Sequence, residues 1–354
     1  MKSEGSHTLI PHSRPTLGKK EIGLVSEVIS SGHIAQGKVV REFEQSLARY
    51  IETQDAAACS SGTTALHLTL LAMGIGAGDE VILPSYVCSA LLNAVRYVNA
   101  TPVLAEVDPR TYNIDPADVK NRLSTRTKAM VVPHLFGLAA ELDSLISLDI
   151  PVIEDCAQAV GATYQGKKVG SLGHAAIFSF YATKVITTGE GGMVLSNSQE
   201  LLDRIRDLRE YDHNQDSGVR YNYKMTDIQA SMGLVQLERL QGFIYRRRSI
   251  AREYYKAFET FPIQAPPRDD GHIYYRYVID LGEDSEPHIE AIGKKGIGCA
   301  LPVYMPLHHY LKIKGYPKTE EVWRQSFSIP IYPSLTEGEL NRVIESVADV
   351  LRRA

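Results

Sequence analysis

The sequence predicts an α/β protein: a mostly parallel sheet flanked by helices, followed by a smaller α/β unit. Two observations carry that expectation. Between residues 56 and 196, short runs of β-type residues alternate with helical runs, which is the pattern of successive βαβ units. After Asn222 the texture changes to one long helical stretch, 227 to 258, rich in Leu, Arg and Tyr.

Taken in order, residues 16 to 50 have helical spacing. Glu21, Ile22, Leu24, Val25, Val28 and Ile29 fall on the pattern, Ser30-Ser31-Gly32 breaks it, and a second helix runs through Phe43, Leu47 and Tyr50. Residues 56 to 59 read as a short strand, 63 to 73 as a helix, 80 to 83 as a strand and 89 to 98 as a helix. Further strands are expected at 102 to 107, 127 to 133, 152 to 155, 175 to 180 and 192 to 196. Beyond the long helix, strands at 274 to 281 and 299 to 303 and a final helix over 337 to 352 suggest a small cap. The expected division is a large domain over residues 1–240, beginning with a helical arm, and a small one over 241–354.

Composition narrows the function classes. At 354 residues, 44% hydrophobic and 23% charged, the chain has the make-up of a soluble globular protein. Its 38 Lys and Arg against 42 Asp and Glu leave a net charge of −4, with no block of like charge to serve a nucleic acid or a membrane surface, so neither is expected as a partner. The densest basic stretch, Arg246-Arg247-Arg248, reads as a solvated or subunit-facing surface. No run reaches the roughly 18 apolar residues of a membrane span, and Met1 to His7 lacks the apolar stretch of a signal peptide, so a cytoplasmic protein is expected. Cys59, Cys88, Cys156 and Cys299 show no C-x-x-C spacing, and no metal site is expected.

The chemistry gathers around Lys184, which ends the apolar run 175 to 183 and precedes Thr187-Thr188-Gly189-Glu190-Gly191-Gly192. Most lysines at strand ends are solvated. Burial-type sequence on both sides argues instead for an amine kept desolvated for Schiff-base chemistry. Upstream, Val152-Ile153-Glu154-Asp155 reads as a buried strand that delivers an acidic pair to the end of a sheet where α/β folds bind ligands, with Gln158 just beyond. A carboxylate there, Asp155, suits a protonated pyridine nitrogen, and the pair points to pyridoxal phosphate. Ser60-Ser61-Gly62-Thr63 joins a strand of small residues to a helix; its backbone amides suit an anion, with hydroxyls at Ser61 and Thr63, although a plain Ser/Thr helix cap fits the same residues.

The ordered set Ser61-Gly62-Thr63, Gly78-Asp79-Glu80, Glu154-Asp155-Cys156-Ala157-Gln158, Phe178-Ser179-Phe180 with Lys184, Gly189-Glu190-Gly191-Gly192 and Asn222-Tyr223-Lys224-Met225-Thr226-Asp227 resembles the pyridoxal-phosphate-dependent sugar aminotransferases. These form the DegT/DnrJ/StrS group of the aspartate-aminotransferase-like, fold type I superfamily. The likeness runs from Pro15 to Leu335. It implies a seven-stranded, mostly parallel sheet. By the resemblance, Lys184 is the Schiff-base lysine, Asp155 the partner of the pyridine nitrogen and Gln158 the amide beside the phenolic oxygen. Gly62, Thr63 and Ser179 match phosphate contacts. Asn222 matches an asparagine that reaches the neighbouring subunit's cofactor, which implies a homodimer with shared active sites.

There are departures. Cys88 stands where the family usually has an aromatic ring over the cofactor, so Tyr86 is a second choice for that contact. Lys224 stands where arginine is common, and Leu138 where a polar residue is common. His33, Tyr304 and His308 lie in segments that resemble the rim of the sugar pocket, although ordinary loop positions describe both histidines better. Arg246, Arg247, Arg276 and Lys312 are candidate contacts to a nucleotide diphosphate. The activity implied is transfer of an amino group from an amino acid, glutamate by resemblance, to a keto-sugar nucleotide through the Lys184 Schiff base and a pyridoxamine form. A sugar dehydratase or cyclitol aminotransferase of the same fold, or a binding protein without turnover, are the alternatives.

Overall fold

A computed structural model describes residues 9–212 and 215–353. The stretch from Met1 to His7, on which the signal-peptide expectation rests, lies outside them. The chain opens with α1 (Lys19–Ser31) and α2 (Lys38–Ile51), then alternates β1 (Asp55–Cys59), α3 (Gly62–Ala72), β2 (Glu80–Pro84), α4 (Ser89–Tyr97), β3 (Thr101–Ala105), α5 (Pro116–Arg122), β4 (Thr127–Pro133), α6 (Leu142–Ile146) and β5 (Val152–Asp155). A two-residue hairpin, β6 (Thr163–Tyr164) with β7 (Lys167–Lys168), precedes β8 (Ala175–Ser179), β9 (Gly192–Ser196) and α7 (Gln199–Leu208). The remainder is α8 (Asp227–Phe258), β10 (Tyr277–Asp280), α9 (Glu286–Gly293), α10 (Leu307–Leu311), α11 (Pro317–Gln325), β11 (Ser326–Ile329) and α12 (Glu337–Leu351).

Seven strands form one sheet in the order β1-β9-β8-β5-β4-β2-β3. Only β9 runs against its neighbours, pairing antiparallel with both β1 and β8. The other six therefore point the same way, and the C-terminal ends of β1, β2, β4, β5 and β8 open along one edge. Strands covered on both faces need apolar residues on both, and the sheet supplies them. Ala57, Val81, Leu83, Val131, Ile153, Ile177 and Val194 pack with α3, α4 and α7 on one face. On the other, Ala56, Ala58, Phe178 and Met193 meet Phe43 and Leu47 of α2 and Leu240 of α8.

The long helix joins two cores. Phe243 and Ile244 still belong to the sheet's outer face, whereas Ile250, Ala251, Tyr254 and Phe258 pack with Tyr277, Phe327, Val343 and Val347 in the C-terminal cluster. Its start is fixed by a capping box between Thr226 and Gln229. Buried Asp227 accepts from the amides of Gly37 and Val40, both at 2.9 Å, and so places a negative charge at the N-terminus of α2.

Four expectations change. Residues 299 to 303 form no strand; only Ala300 bridges to Ser328, Pro302 removes a donor, and β10 pairs with β11 instead. On α1, Val28 faces inward but Ile22 and Ile29 stand out at 67% and 57% exposure; buried Glu21 takes the inner position, accepting from Gln236. Arg247 is buried, while Arg246 pairs with Glu337 and Arg248 donates to the carbonyls of His272 and Asp270, so the basic run is not a solvated patch. Leu138, which stands where a polar residue is common, is likewise buried. Among the described residues no helix is long and apolar enough to cross a membrane.

Candidate active site

At the end of β1 the chain turns through Ser60 and Ser61 into α3. Ser61 is the N-cap: its Oγ accepts from Thr64 N at 3.1 Å, and Ser61 N donates to Thr64 Oγ1 at 3.0 Å. Its side chain therefore caps the helix, as the simpler reading of the sequence has it. Gly62 and Thr63 occupy the first two helical positions, where amides have no acceptor within the helix. Two close approaches shape this loop. A Cβ on Gly62 would sit 2.8 Å from Ser179 Cβ, and one on Gly192 would sit 2.1 Å from the Ser61 carbonyl oxygen. Glycine at both places brings the loop, the Ser179 end of β8 and the start of β9 together into a cradle lined by amides and a hydroxyl, which fits a phosphate group.

The acidic pair at the end of β5 splits between two jobs, as alternation along a strand requires. Glu154 is fully buried and accepts from His134 Nε2 (3.0 Å) and from the amides of Gly170, Leu172 and Gly173, so it is a fastener. Asp155 is also buried, but accepts only from Ala157 N at 3.0 Å and takes part in none of the ion pairs among the described residues. Burial raises its carboxyl above the ordinary range, against the pull of the Ala157 amide, Lys184 and His134. A buried carboxylate lacking a cationic partner is what a pyridinium N–H would complete. Gln158 Oε1 accepts from Phe136 N at 2.9 Å, which leaves its NH2 to donate elsewhere.

Lys184 stands in the turn after β8, its amide bonded to Tyr181 O at 2.9 Å. Cys88, the N-cap of α4 after β2, is the one cysteine exposed to solvent. Crowding around its thiol raises its pKa, while Lys184 pulls it down and Asp155 pushes it up. Lys184, Asp155 and Cys88 thus stand near enough at the open edge of the sheet to feel one another's charge. On its other side, Lys184 Nζ lies 5.6 Å from the centroid of the Tyr275 ring, whose hydroxyl is 3.4 Å from Thr183 Oγ1. The cradle, the unpaired Asp155, the free amide of Gln158 and the amine of Lys184 together fit pyridoxal phosphate.

That convergence agrees with what the chain is similar to. The profile of the DegT/DnrJ/EryC1/StrS aminotransferase family matches residues 15–348. The chain belongs to that family. Its members depend on pyridoxal phosphate. This aminotransferase is 38% identical to the GDP-perosamine synthase of Caulobacter vibrioides, with 95% of this chain and 97% of that one covered. It is 36% identical to the spore coat polysaccharide biosynthesis protein SpsC of Bacillus subtilis, with 98% of each covered. Among solved structures, Helicobacter pylori PseC, an aminotransferase involved in the biosynthesis of pseudoaminic acid, superposes with a TM-score of 0.92 at 26% identity over 98% of this chain and all of that one.

The other expected site residues of the aminotransferase divide between the core and the surface. Tyr86 is wholly buried in the core against Tyr112 and Phe136 and has no surface to offer a cofactor ring. His308 is also buried: its Nδ1 meets Ser85 Oγ at 2.7 Å, its Nε2 meets Glu320 at 2.7 Å, and its ring stacks on Tyr316, so it braces α10 against α11 rather than meeting substrate. Tyr304 is 82% exposed and lends only its carbonyl, to Trp323. His33 is exposed in the α1–α2 turn, with its amide on Ser31. Asn222 is exposed, one residue before Tyr223, whose carbonyl accepts from Ser60 N at 2.8 Å. Lys224 pairs with Glu210 at 2.6 Å and lies over Tyr211. Thr183 and Tyr275 escaped sequence reasoning, since no motif marks them; only their nearness to Lys184, one in sequence and one across the fold, reveals them.

Proposed function

We propose that this sugar aminotransferase moves an amino group from an amino acid, with glutamate as the donor, to the keto carbon of a keto-sugar nucleotide. The observation that carries the reading is the meeting of Lys184 with a buried Asp155 that has no ionic partner, beside a glycine-lined anion cradle. The name of the GDP-perosamine synthase relative supports a nucleotide-linked sugar as acceptor.

When bound, pyridoxal phosphate supplies an electron-withdrawing ring that takes up the electron pair of a substrate Cα–H bond. The rest falls to the chain. The amides of Gly62 and Thr63 and the Ser179 hydroxyl hold the phosphate; Asp155 holds the proton on the pyridine nitrogen; the Gln158 NH2 donates to the phenolic oxygen. Lys184 Nζ takes the proton from the substrate's Cα and returns it in the reverse sense to the second substrate. Asn222 reaching a neighbouring subunit would complete a shared site, and the exposed Ile22 and Ile29, two turns apart on α1, offer an apolar face for a homodimer. The change of core along α8 supports a large domain to about residue 240 and a small one beyond it.

Lys184→Ala tests the assignment. Turnover should fall by about 10⁴-fold or more, and borohydride should no longer fix the cofactor covalently to the chain, as read by mass. A variant that keeps wild-type turnover overturns the reading.

A further inference from the structure

Two adjacent histidines of α10 converge on one carboxylate of α11. The chain leaves α10 through Lys312, in the left-handed region at φ 55°, turns at Gly315 with φ 99°, and starts α11 at Pro317. That short turn folds α11 back on α10. His308 Nε2 then lies 2.7 Å, and His309 Nε2 2.5 Å, from Glu320 Oε1. Both rings are held in place: His308 stacks on Tyr316 and meets Ser85 Oγ through Nδ1 at 2.7 Å, and His309 stands edge-on to Trp323. Burial would raise the Glu320 carboxyl, but the two imidazoles outweigh it and keep the carboxyl below its ordinary range, hence ionised at neutral pH.

Two imidazole nitrogens and a carboxylate oxygen, all within 4.8 Å of one another, are a three-ligand set for zinc that leaves a fourth position to water. A metal-bound histidine keeps its other ring nitrogen protonated and donating, and Ser85 Oγ stands ready to accept from His308. The fourth position has access, because the trio borders an open pocket lined by Lys312, Ile313, Lys314 and Tyr316. The two lysines there oppose any cation held by charge alone, so an ion that bonds to imidazole, such as Zn²⁺, is favoured over Mg²⁺ or Ca²⁺. Bonds of about 2.0–2.2 Å around a tetrahedral ion set its ligands about 3.4 Å apart, so the Glu320 oxygen has to withdraw by about 1 Å. Its side chain, 39% exposed, has room to do so. Among the described residues His134, Glu154 and Cys156 also come this close, but they are sealed in the core and Glu154 already accepts from three amides. We propose that His308, His309 and Glu320 bind a divalent transition-metal ion, zinc ahead of the others, which clasps α10 to α11. The Ser85 carbonyl also accepts from Leu307 N at 2.8 Å, so the clasp is tied to the loop that leads from β2 to Cys88. It stands or falls independently of transamination.

The test takes the untagged holoenzyme, dialysed against EDTA and then freed of it, and titrates it calorimetrically with ZnCl₂ and separately with MgCl₂. The wild-type chain should bind Zn²⁺ one to one, unfold at a higher temperature when zinc is present, and take up no Mg²⁺. His309→Ala removes a half-buried ligand, and Glu320→Gln keeps an oxygen for both imidazoles; each should weaken zinc by about 100-fold or more and abolish the rise in unfolding temperature. If one of these variants fails to fold, the other carries the test. Cobalt(II) in place of zinc should give the visible bands of a four-coordinate site in the wild type and not in the variants. Cys88→Ser separates this site from the thiol near Lys184 and should bind zinc as the wild type does. No zinc uptake by the wild type, uptake unchanged in both variants, or Mg²⁺ bound as tightly as Zn²⁺ overturns the clasp, and so does a loss confined to Cys88→Ser.

Discussion

The open edge of the large sheet and the wall built by Tyr275, Arg276 and Arg247 meet at Lys184, yet they are specified in different ways. Along the edge, each functional group follows directly from the end of a strand: Ser61 to Thr63 after β1, Cys88 after β2, Asp155 at the end of β5, Ser179 at the end of β8. Local sequence sets the strand, and sheet order does the rest. The wall is assembled from segments far apart in the chain, and each of its charged groups depends on packing between them, as when Arg276 reaches His12 across 264 positions. The edge is therefore a property of motifs, while the wall is a property of the finished core.

Three measurements separate the two regions. The largest effect belongs to the edge: Asp155→Asn should lower kcat about 10²- to 10³-fold without lowering the unfolding temperature, because burial already opposes the charged form of this carboxyl. A variant that loses stability in step with activity would mean that Asp155 is a fastener like Glu154. Next, Gly62→Ala places a methyl group 2.8 Å from Ser179 Cβ, which should cost about 1–3 kcal/mol in chemical denaturation and weaken cofactor retention on dialysis. Unchanged retention would detach the cradle from phosphate binding.

The smallest effect belongs to the wall. In the folded chain His12 ionises near pH 3, against 6.5 when unfolded. The unfolded state then takes up the proton first, so this contribution is whole above about pH 6.5 and is lost as the pH falls toward 3. Between pH 7 and 6, His12→Gln should lose about 0.7 kcal/mol less than wild type. Identical slopes would show that His12 is not the neutral acceptor of Arg276.

The legibility of the sequence follows the same division. All seven strands of the large sheet were readable, because buried β runs bounded by turns and helices leave a local signature, and the Lys184, Asp155, Gln158 and Ser179 set came with them. Strand β11 was not, since Ser326 and Ser328 look solvent-facing yet are buried, with Ser328 Oγ donating to Ala300 O and Ser326 Oγ to Tyr112 Oη. His308, two residues after Pro306, resembles a loop residue until Ser85, 223 positions away, and Glu320 of α11 satisfy its two nitrogens. Arg247 hides within a run of three arginines because only the face of α8 that meets the second core distinguishes it from its neighbours.

Strand β9 has a consequence for how the chain is born. Its slot between β1 and β8 stays empty until residues 192–196 have left the ribosome, so β1 waits through about 130 residues of synthesis with no strand partner at all. When β9 does enter, Gly192 arrives against Ser61 and opposite Ser179 in the same step. A nascent chain halted before that point would carry the cofactor's lysine and both of its ring partners, yet have no finished seat for the phosphate.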